Sequence, residues 1–502
     1  MAIADIKDEK SRLVKRSGQV FTPLHIVTCM LDYCGYAGDN VLRRHIIDNS
    51  CGDGAFLCEA VERYCRCYLS RKNSVEGLRA ELEQYVHGIE IDVKAWSNCL
   101  FNLDNVAAGF GVKDVHWDVI NADTLTVTHF DGLMDYVVGN PPYVRVHNLA
   151  ENYTAVKAFY FANGGMTDLY LVFFEIGLRM LSPRGRLCYI TPSSWLSSLA
   201  ATNMRRYLSG HANLMGIIDL EHYQPFAATT YTLIALMDRQ GSHSHVDYCV
   251  YDETAHDKRH VDSIALKDMC IGDAFYIANS GSLASLNDIL TSHSKPYVKV
   301  KNGFATLSDK VFISDKLPFS EFTIPVIKAS TGKWSRCFFP YDKAGKPLPK
   351  EQIFGVKAVA QYLEAHKRAL LKGKTETESP CWYLYGRTQA LRDVNVSKLA
   401  ISTIIKDKQS IKLNIASAGT GVYSGLYIVS DTPADEIRQL IISDDFVNYV
   451  MTLKEYKSGG YYTFNSRALE TYLNYRITEK HDRVEHRDKK QRSFSESYIN
   501  FV

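Results

Sequence analysis

Short apolar runs rich in β-branched residues alternate with longer segments of helical periodicity between about residues 45 and 240. Each run has the length of a strand and the composition of a buried one. The predicted strands are 45–50, 86–92, 118–123, 135–140, 186–192, 215–220 and 231–237. The segments 55–69 and 167–181 between them predict helices. This alternation predicts an α/β fold in which helices cover both faces of a mostly parallel sheet.

The alternation stops near residue 240, and the remainder is rich in Tyr, Lys and Gly without a clear internal repeat. We interpret this remainder as a second domain of α+β character. The length of 502 residues also favours more than one domain, because single hydrophobic cores stop growing well below this size. The pattern changes within the turn-like segment 238–247, so the predicted domains are 1–240 and 241–502.

The composition is ordinary for a globular protein, with 46% hydrophobic and 23% charged residues. The formal net charge of +2 does not by itself indicate a nucleic-acid partner, so any basic surface must be local. The most basic stretch, 367–412, has ten Lys or Arg residues against four Asp or Glu residues. This stretch is therefore the candidate for contacts with an acidic partner.

Several features favour a cytoplasmic protein without a membrane or metal partner. The segment 1–16 is charged and lacks an apolar core, so we do not expect it to be a secretory signal. No apolar run is long enough to span a bilayer. The 12 cysteines include no Cys-x-x-Cys pair, which favours reduced thiols. His243 and His245 have no cluster of ligands around them, so we interpret them as solvated loop residues.

Polar and glycine residues follow the first two predicted strands. The sequence DNSCGDGAFL at 48–57 follows a strand and begins a helix, and its glycines allow a ligand to approach the backbone closely. Glu90 ends the next strand, where a carboxylate can accept hydrogen bonds from both hydroxyls of a ribose. A tight turn would explain the glycines alone, and a capping or solvated acid would explain Glu90 alone. Together they favour a ribose-containing ligand at the carboxyl ends of the strands.

The sequence Asn140-Pro141-Pro142-Tyr143, after the apolar strand 135–139, carries the sharpest chemical signal. An amino group conjugated to a ring is a poor nucleophile because its lone pair is delocalised. The Asn140 side-chain oxygen and the Pro141 carbonyl can accept the two amino hydrogens and so raise the electron density on the nitrogen. The prolines restrict the backbone here, and Tyr143 offers a flat face on which a base can stack. A diproline turn that ends a strand is the alternative explanation.

Five motifs occur in order along the chain: GQVFTP at 18–23, DNSCGDGAFL at 48–57, GIEID at 88–92, NAD at 121–123 and GNPPYVR at 139–145. This ordered set resembles the gamma-class, TaqI-like adenine-N6 DNA methyltransferases of type II restriction–modification systems. The resemblance implies a Rossmann-like, S-adenosylmethionine-dependent methyltransferase sheet flanked by helices, with a C-terminal α+β target-recognition domain. The domain 1–240 would then be catalytic, and the domain 241–502 would bind DNA.

The resemblance also assigns roles to individual residues. The implied cofactor-binding residues are Thr22, Pro23, Asp48, Cys51, Gly52, Glu90 and Asp123. The implied catalytic residues are Asn140, Pro141 and Tyr143. Phe226 is the implied second aromatic residue that stacks, with Tyr143, on the flipped adenine. The family often has DPACGSG where this chain has DNSCGDG, so Asn49 and Asp53 depart from its pattern.

Three segments of the second domain are candidates for DNA contacts. The segment 301–306 resembles one near the start of recognition domains in this family. The basic stretch 367–412 contains Trp382, Tyr383 and Tyr385, and basic residues interleaved with aromatic ones suit contacts with phosphates and bases. The segment 457–462 resembles a late glycine–aromatic element of the same domain.

These inferences predict an enzyme that transfers a methyl group from S-adenosylmethionine to N6 of a flipped-out adenine in double-stranded DNA. We expect it to act as a monomer and to protect host DNA from a cognate restriction endonuclease that acts separately. The Asn-Pro-Pro-Tyr motif also suits other conjugated nitrogens, so an RNA or protein-glutamine N-methyltransferase is an alternative. A non-catalytic DNA-binding specificity subunit is an alternative from another class.

Overall fold

The computed structural model describes residues 22–71, 74–146, 153–164, 167–226 and 230–499, with the backbone alone at 153–154 and 484–499. The chain divides into two compact units, Met1–Ala284 and Ser285–Val502. The division therefore falls after Ala284 and not near residue 240, where the sequence pattern placed it. The reason is that two further strands, His245–Asp252 and Asp257–Ala265, extend the sheet of the first unit.

A nine-stranded sheet forms the centre of the first unit, in the order β3-β2-β1-β4-β5-β7-β6-β8-β9. The strands are β1 Ile46–Asp48, β2 Val86–Glu90, β3 Asp118–Asn121, β4 Met134–Gly139, β5 Leu181–Pro192, β6 Leu214–Asp219, β7 Thr232–Asp238, β8 His245–Asp252 and β9 Asp257–Ala265. Strands β3, β2, β1, β4 and β5 are mutually parallel, and β7 runs antiparallel between β5 and β6. The mostly parallel α/β sheet that the sequence predicts is confirmed. A small antiparallel pair, β10 Cys270–Ile271 and β11 Ala274–Phe275, follows it.

Helices cover both faces of this sheet. The helices described in this part of the chain are α1 Leu24–Cys34, α2 Ala55–Arg71, α3 Val75–Tyr85, α4 Val93–Gly109, α5 Tyr153–Lys157, α6 Leu169–Met180, α7 Thr202–His211, α8 Leu266–Met269 and α9 Ser280–Thr291, and α9 continues past Ala284 into the second unit. Neighbouring residues of one strand face opposite sides of the sheet, so Ile46 belongs to one buried cluster and Ile47 to the other. Both residues of this pair are fully buried, which fixes β1 as a central strand.

The parallel arrangement brings the ends of four strands to one edge. In register, Asp48 pairs with Gly88 of β2 and Val138 of β4, and Glu90 pairs with Asn121 of β3. The residues that follow these strands therefore lie side by side, at the edge where open α/β sheets bind ligands. This is the edge to which the sequence motifs were assigned.

The second unit has the predicted α+β character. Its strands are β12 Val298–Asn302, β13 Thr323–Lys328, β14 Lys333–Phe338, β15 Lys398–Ile401, β16 Ile404–Ile405, β17 Leu413–Ala416, β18 Gly421–Tyr423, β19 Leu426–Ser430, β20 Tyr456–Lys457 and β21 Tyr461–Thr463. They form three sheets, in the orders β12-β19-β15-β17, β14-β13-β18 and β16-β21-β20. Its helices are α10 Asp309–Phe312, α11 Lys350–Gly355, α12 Lys357–Leu371, α13 Ala434–Ile441, α14 Asp444–Thr452 and α15 Ser466–Ile499.

The structure corrects one prediction in the second unit. Trp382, Tyr383 and Tyr385 are buried in its hydrophobic core and are not exposed between the basic residues. The Tyr385 hydroxyl donates to the Phe338 carbonyl oxygen at 2.5 Å, which satisfies the buried phenol. These aromatic rings therefore hold the fold together and cannot stack on a base. Among the described residues, no helix has both the length and the apolarity needed to cross a membrane.

Candidate active site

The loop after β1 and the motif after β4 meet at one close contact. A Cβ added to Gly139 would lie 2.6 Å from Asp48 Oδ1, so only glycine leaves room for this carboxyl group. The backbone N–H of Ser50 donates to the same oxygen at 3.0 Å. Because Gly139 directly precedes Asn140, the predicted cofactor loop and the predicted catalytic motif adjoin each other.

Burial is the main influence on the Asp48 carboxyl group. Removal from water raises the pKa of Asp48 to about 8, the Ser50 N–H opposes this rise, and the nearby Glu90 and Asp53 carboxylates add to it. At neutral pH the carboxyl group is therefore mostly protonated. A cationic group that approaches it would favour the ionised form.

The first prediction concerns stability and uses Asp48→Asn, an uncharged isostere. The pKa of Asp48 rises from 3.8 in water to about 8 in the folded protein, so the folded state holds an extra proton between these values. The stabilisation that this proton provides is complete below the pKa in water and is lost as pH rises through the pKa of the folded protein. As pH rises from about 5.5 to 8.5, the free energy of unfolding of the wild type, measured with urea, should therefore fall relative to that of Asp48→Asn. The fall should be about 3 kcal/mol at most. A constant difference between the two proteins would contradict this account of Asp48.

The glycine loop has an open side and a closed side. Gly52 has φ +56°, and a Cβ there would meet nothing within 4 Å, whereas at Gly54, with φ +91°, it would lie 2.7 Å from Cys99 Sγ. Cys51 is buried beside the same cysteine, and its hydrogen bond with Cys99 raises the pKa of the Cys51 thiol well above its usual range. The thiol thus stays protonated, and the backbone of Gly52 is the part of the loop that a ligand can approach.

Asn49, which departs from the family pattern, faces the core. Its Oδ1 accepts a hydrogen bond from the Tyr189 hydroxyl at 2.7 Å, and its backbone carbonyl accepts one from the Thr124 hydroxyl at 2.6 Å. The side chain is fully buried. The departure is therefore accommodated inside the sheet and does not alter the open side of the loop.

Glu90 connects the glycine loop to the next strand. Its Oε2 accepts from the Gly52 N–H and its Oε1 from the Asp92 N–H, both at 2.8 Å, and the residue is 7% exposed. Asp92 also begins helix α4, because its Oδ1 accepts from the Ala95 N–H at 2.8 Å. The backbone thus orients the Glu90 carboxylate, while each oxygen keeps a further acceptor position.

Asp123 lies at the same edge, after β3. Its Oδ1 accepts from the Leu125 N–H at 3.0 Å at the start of the short turn 124–126. Ser50 Oγ is buried and has no hydrogen-bond partner among the described residues. The residues Glu90, Asp123 and Ser50 fit S-adenosylmethionine, because its ribose hydroxyls and adenine amino group are donors that need such acceptors. The open side of Gly52 lets a ligand approach the backbone of the loop.

Asn140 follows β4 and contacts the start of the described chain. Its Nδ2 donates to Thr22 Oγ1 at 3.1 Å, and Thr22 is buried at 8% exposure. Pro23 precedes α1, and its carbonyl accepts from the N–H groups of Ile26 and Val27. The resemblance implies that Thr22 binds the cofactor, and in this structure the Thr22 hydroxyl accepts a hydrogen bond from Asn140. Residues 18–21 of that motif lie outside the described part of the chain.

The predicted aromatic pair comes together. The ring of Tyr143 lies 6.3 Å from that of Phe226 at an interplanar angle of 76°, and 6.4 Å from that of Tyr170 at 82°. The Tyr143 hydroxyl donates to the Ile190 carbonyl at 3.2 Å, and burial raises the pKa of Tyr143 well above its usual range. The phenol is therefore a fixed donor. Residues 227–229, next to Phe226, are outside the described ranges.

A backbone pairing supports this motif. The backbone of Leu169 donates to the Val144 carbonyl at 2.8 Å, and that of Val146 donates to the Thr167 carbonyl at 2.9 Å. The start of α6 is thus held against the segment that follows the catalytic motif. This contact is non-local, and no local pattern in the sequence indicates it.

Within the described part of the chain, no group of three or more His, Cys, Asp or Glu side chains is arranged to hold a metal ion. His243, one of the two loop histidines, lies with Nε2 2.7 Å from Asp238 Oδ2. A hydrogen bond to a carboxylate thus occupies this ring nitrogen.

Known proteins resemble this chain in sequence. Residues 68–226 match a family model described as the Eco57I restriction-modification methylase. The Type II methyltransferase M.BstVI of Geobacillus stearothermophilus is 29% identical over 47% of this chain and 44% of its own length. The Type II restriction enzyme and methyltransferase RM.Eco57I of Escherichia coli is 24% identical over 81% of this chain and 51% of its own length. The chain thus spans about half the length of these two relatives.

Solved structures share the fold at low sequence identity. The Type IIL restriction-modification enzyme MmeI, solved in complex with DNA, superposes with a TM-score of 0.60 at 13% identity, over 92% of this chain and 65% of that one. The DrdV chain of a DrdV–DNA complex gives a TM-score of 0.50 at 12% identity, over 85% of this chain and 52% of that one. At these identities the likeness demonstrates the fold alone.

Proposed function

We propose that this chain, which contains an Eco57I restriction-modification methylase domain, is a site-specific DNA methyltransferase that modifies N6 of adenine. The observation that carries the proposal is the close approach of Asp48 to Gly139. It sets the loop suited to the methyl donor directly against the motif suited to a conjugated amino group. The sequence similarity to type II methyltransferases supports DNA as the substrate.

Asn140 and Pro141 are the residues that act on the amino group. The Asn140 Oδ1 and the Pro141 carbonyl accept the two N6 hydrogens, which favours pyramidal geometry and localises the lone pair on nitrogen. Pro141 is buried and its ring fixes φ, so its carbonyl is held on a stiff backbone. Preorganised acceptors of this kind stabilise the charge that develops in the transition state.

Tyr143 and Phe226 hold the base. An adenine inside a duplex is inaccessible, so it must rotate out of the stack before its amino group reaches Asn140. Two rings that pack edge to face in this structure provide an apolar contact for the extruded base. Glu90 and Asp123 would hold S-adenosylmethionine, which would supply the methyl group and leave as S-adenosylhomocysteine, while the methylated N6 would lose one proton to solvent. The protonated Cys51 thiol takes no part as a nucleophile.

The test is methylation of unmodified genomic DNA by the purified full chain with S-adenosylmethionine, read by sequencing that detects N6-methyladenine. Modification at one repeated short motif supports activity, base and specificity together. RNA and glutamine-containing protein are offered in parallel reactions. Methylation of either of these in place of DNA, or no methylation despite cofactor binding, would contradict the proposal.

We further propose that the second unit recognises the target through one face of the sheet β16-β21-β20. Lys457 pairs with Tyr461 across a hairpin whose tip, Gly459 and Gly460, has φ of 81° and 78°. A Cβ on Gly460 would lie 3.5 Å from Lys406 Nζ, so this ammonium group lies over the tip. Lys406 and Lys457 are exposed, and Tyr461 is 37% exposed. Two cations around an exposed aromatic ring suit phosphates and a base step.

The second prediction tests this face with the double substitution Lys406→Gln and Lys457→Gln. Loss of two phosphate contacts should weaken binding of a target duplex and lower the salt slope of log Kd by about 2. Tyr461→Ala should weaken binding without a change in that slope. Fluorescence anisotropy over a range of salt concentrations measures both. Lys316→Gln, at another exposed lysine of this unit, is the control, and equal effects of all the variants would exclude this face.

A further inference from the structure

Thr22 and Asn140 are 118 residues apart in sequence, and a hydrogen bond of 3.1 Å joins their side chains. Thr22 is buried, and the next residue, Pro23, caps helix α1 with φ −61°. Two N–H groups of the first helical turn, those of Ile26 and Val27, bind the Pro23 carbonyl. The hydroxyl of Thr22 is therefore carried on a backbone that a helix and a proline both restrain.

The chemistry of the amino group requires a fixed amide at Asn140. The side chain of an asparagine rotates readily about its terminal torsion, because this torsion is broad and has no sharp minimum. With Nδ2 held by Thr22 Oγ1, the amide plane is restrained and Oδ1 occupies the other branch of the group. This bond therefore favours one orientation of the acceptor for the N6 hydrogens.

We propose that Thr22 is a positioning residue, whose hydroxyl holds the Asn140 amide in the orientation needed for methyl transfer. This inference rests on the proposed function and deepens it, because it gives the segment before α1 a role in catalysis. The resemblance implies a different role for Thr22, contact with the cofactor. The two roles differ in what they predict for kcat and for cofactor affinity.

The chain offers a matched set of variants. Thr22→Val keeps the shape of the side chain and removes the hydroxyl, whereas Thr22→Ser keeps the hydroxyl. Thr28→Val makes the same chemical change within helix α1, where the Thr28 carbonyl binds Arg63, and serves as the control. Each full-length variant is assayed on an unmodified duplex that contains the motif methylated by the wild type. The affinity for S-adenosylhomocysteine is measured separately by titration calorimetry.

A positioning role predicts that Thr22→Val lowers kcat roughly 10- to 100-fold, because small misplacements of a reacting group have effects of this size. The Kd for S-adenosylhomocysteine should stay within about twofold, and Thr22→Ser should restore most of kcat. In an Asn140→Ala background, Thr22→Val should have no further effect. Thr28→Val should behave as the wild type does.

Other results overturn the inference. A wild-type kcat for Thr22→Val, an equal defect in Thr22→Ser, or a loss of cofactor affinity that accounts for the whole defect would each do so. If the wild-type chain transfers no methyl group to DNA, the proposed function itself fails and this inference fails with it. Activity in the wild type with an unaffected Thr22→Val variant defeats the inference alone.

Discussion

Replacement of Asn140 with alanine is expected to lower kcat by roughly 10²- to 10³-fold or more, since one preorganised partner of the reacting group is lost. The affinity for S-adenosylhomocysteine should hardly change, because Asn140 follows β4 and the predicted ribose acid Glu90 ends β2. Single-turnover methylation of duplex DNA measures the first quantity, and calorimetry measures the second. The loss should persist at saturating DNA and cofactor, because it concerns the chemical step.

A matched control for this variant is Asn203→Ala. Asn203 lies on α7 in the same unit, and its Nδ2 donates to the Tyr160 carbonyl at 3.0 Å. The substitution Asn203→Ala removes the same atoms at a position outside the motif, so kcat should be unaffected. Turnover retained in Asn140→Ala would remove the central residue of the proposed mechanism.

Glu90→Gln is expected to weaken S-adenosylhomocysteine binding roughly 10- to 100-fold, since hydrogen bonds to a charged group are worth about 1.5–3 kcal/mol. Glutamine keeps one acceptor, but its amide nitrogen would face the N–H of Gly52 or of Asp92. The variant thus loses acceptor capacity for a ribose and also strains the glycine loop. Titration calorimetry gives the affinity, and the KM for S-adenosylmethionine should rise by a similar factor.

The kinetic pattern separates Glu90 from Asn140. At saturating cofactor, Glu90→Gln should recover much of kcat, whereas Asn140→Ala should not. Glu62→Gln, at a half-buried helix residue that pairs with Arg66, is the control for the loss of a carboxylate. An unchanged Kd for S-adenosylhomocysteine in Glu90→Gln would show that Glu90 does not bind the cofactor.

Much of the first unit could be predicted from its sequence. The central strands are apolar runs bounded by polar residues, and each predicted run between 45 and 240 overlaps a strand of the sheet. Strand β9 escaped prediction because it forms the edge of the sheet, where most of its residues are exposed and polar. Strand β8 was also not predicted, although it is mostly buried, and the two strands together displaced the domain boundary. The aromatic residues at 382–385 were misread because composition does not show which way a ring points.

The sequence determined the kinds of residues at the candidate site and the strand that precedes each of them. Local periodicity is enough for this, because strands and turns form from neighbouring residues. Only the tertiary structure decided which residues meet: Asp48 with Gly139, Asn49 with Tyr189, and Thr22 with Asn140. These contacts join residues far apart in the chain, and their geometry depends on packing that no local pattern records. The sequence therefore determines the chemistry of the site, and the fold determines its geometry.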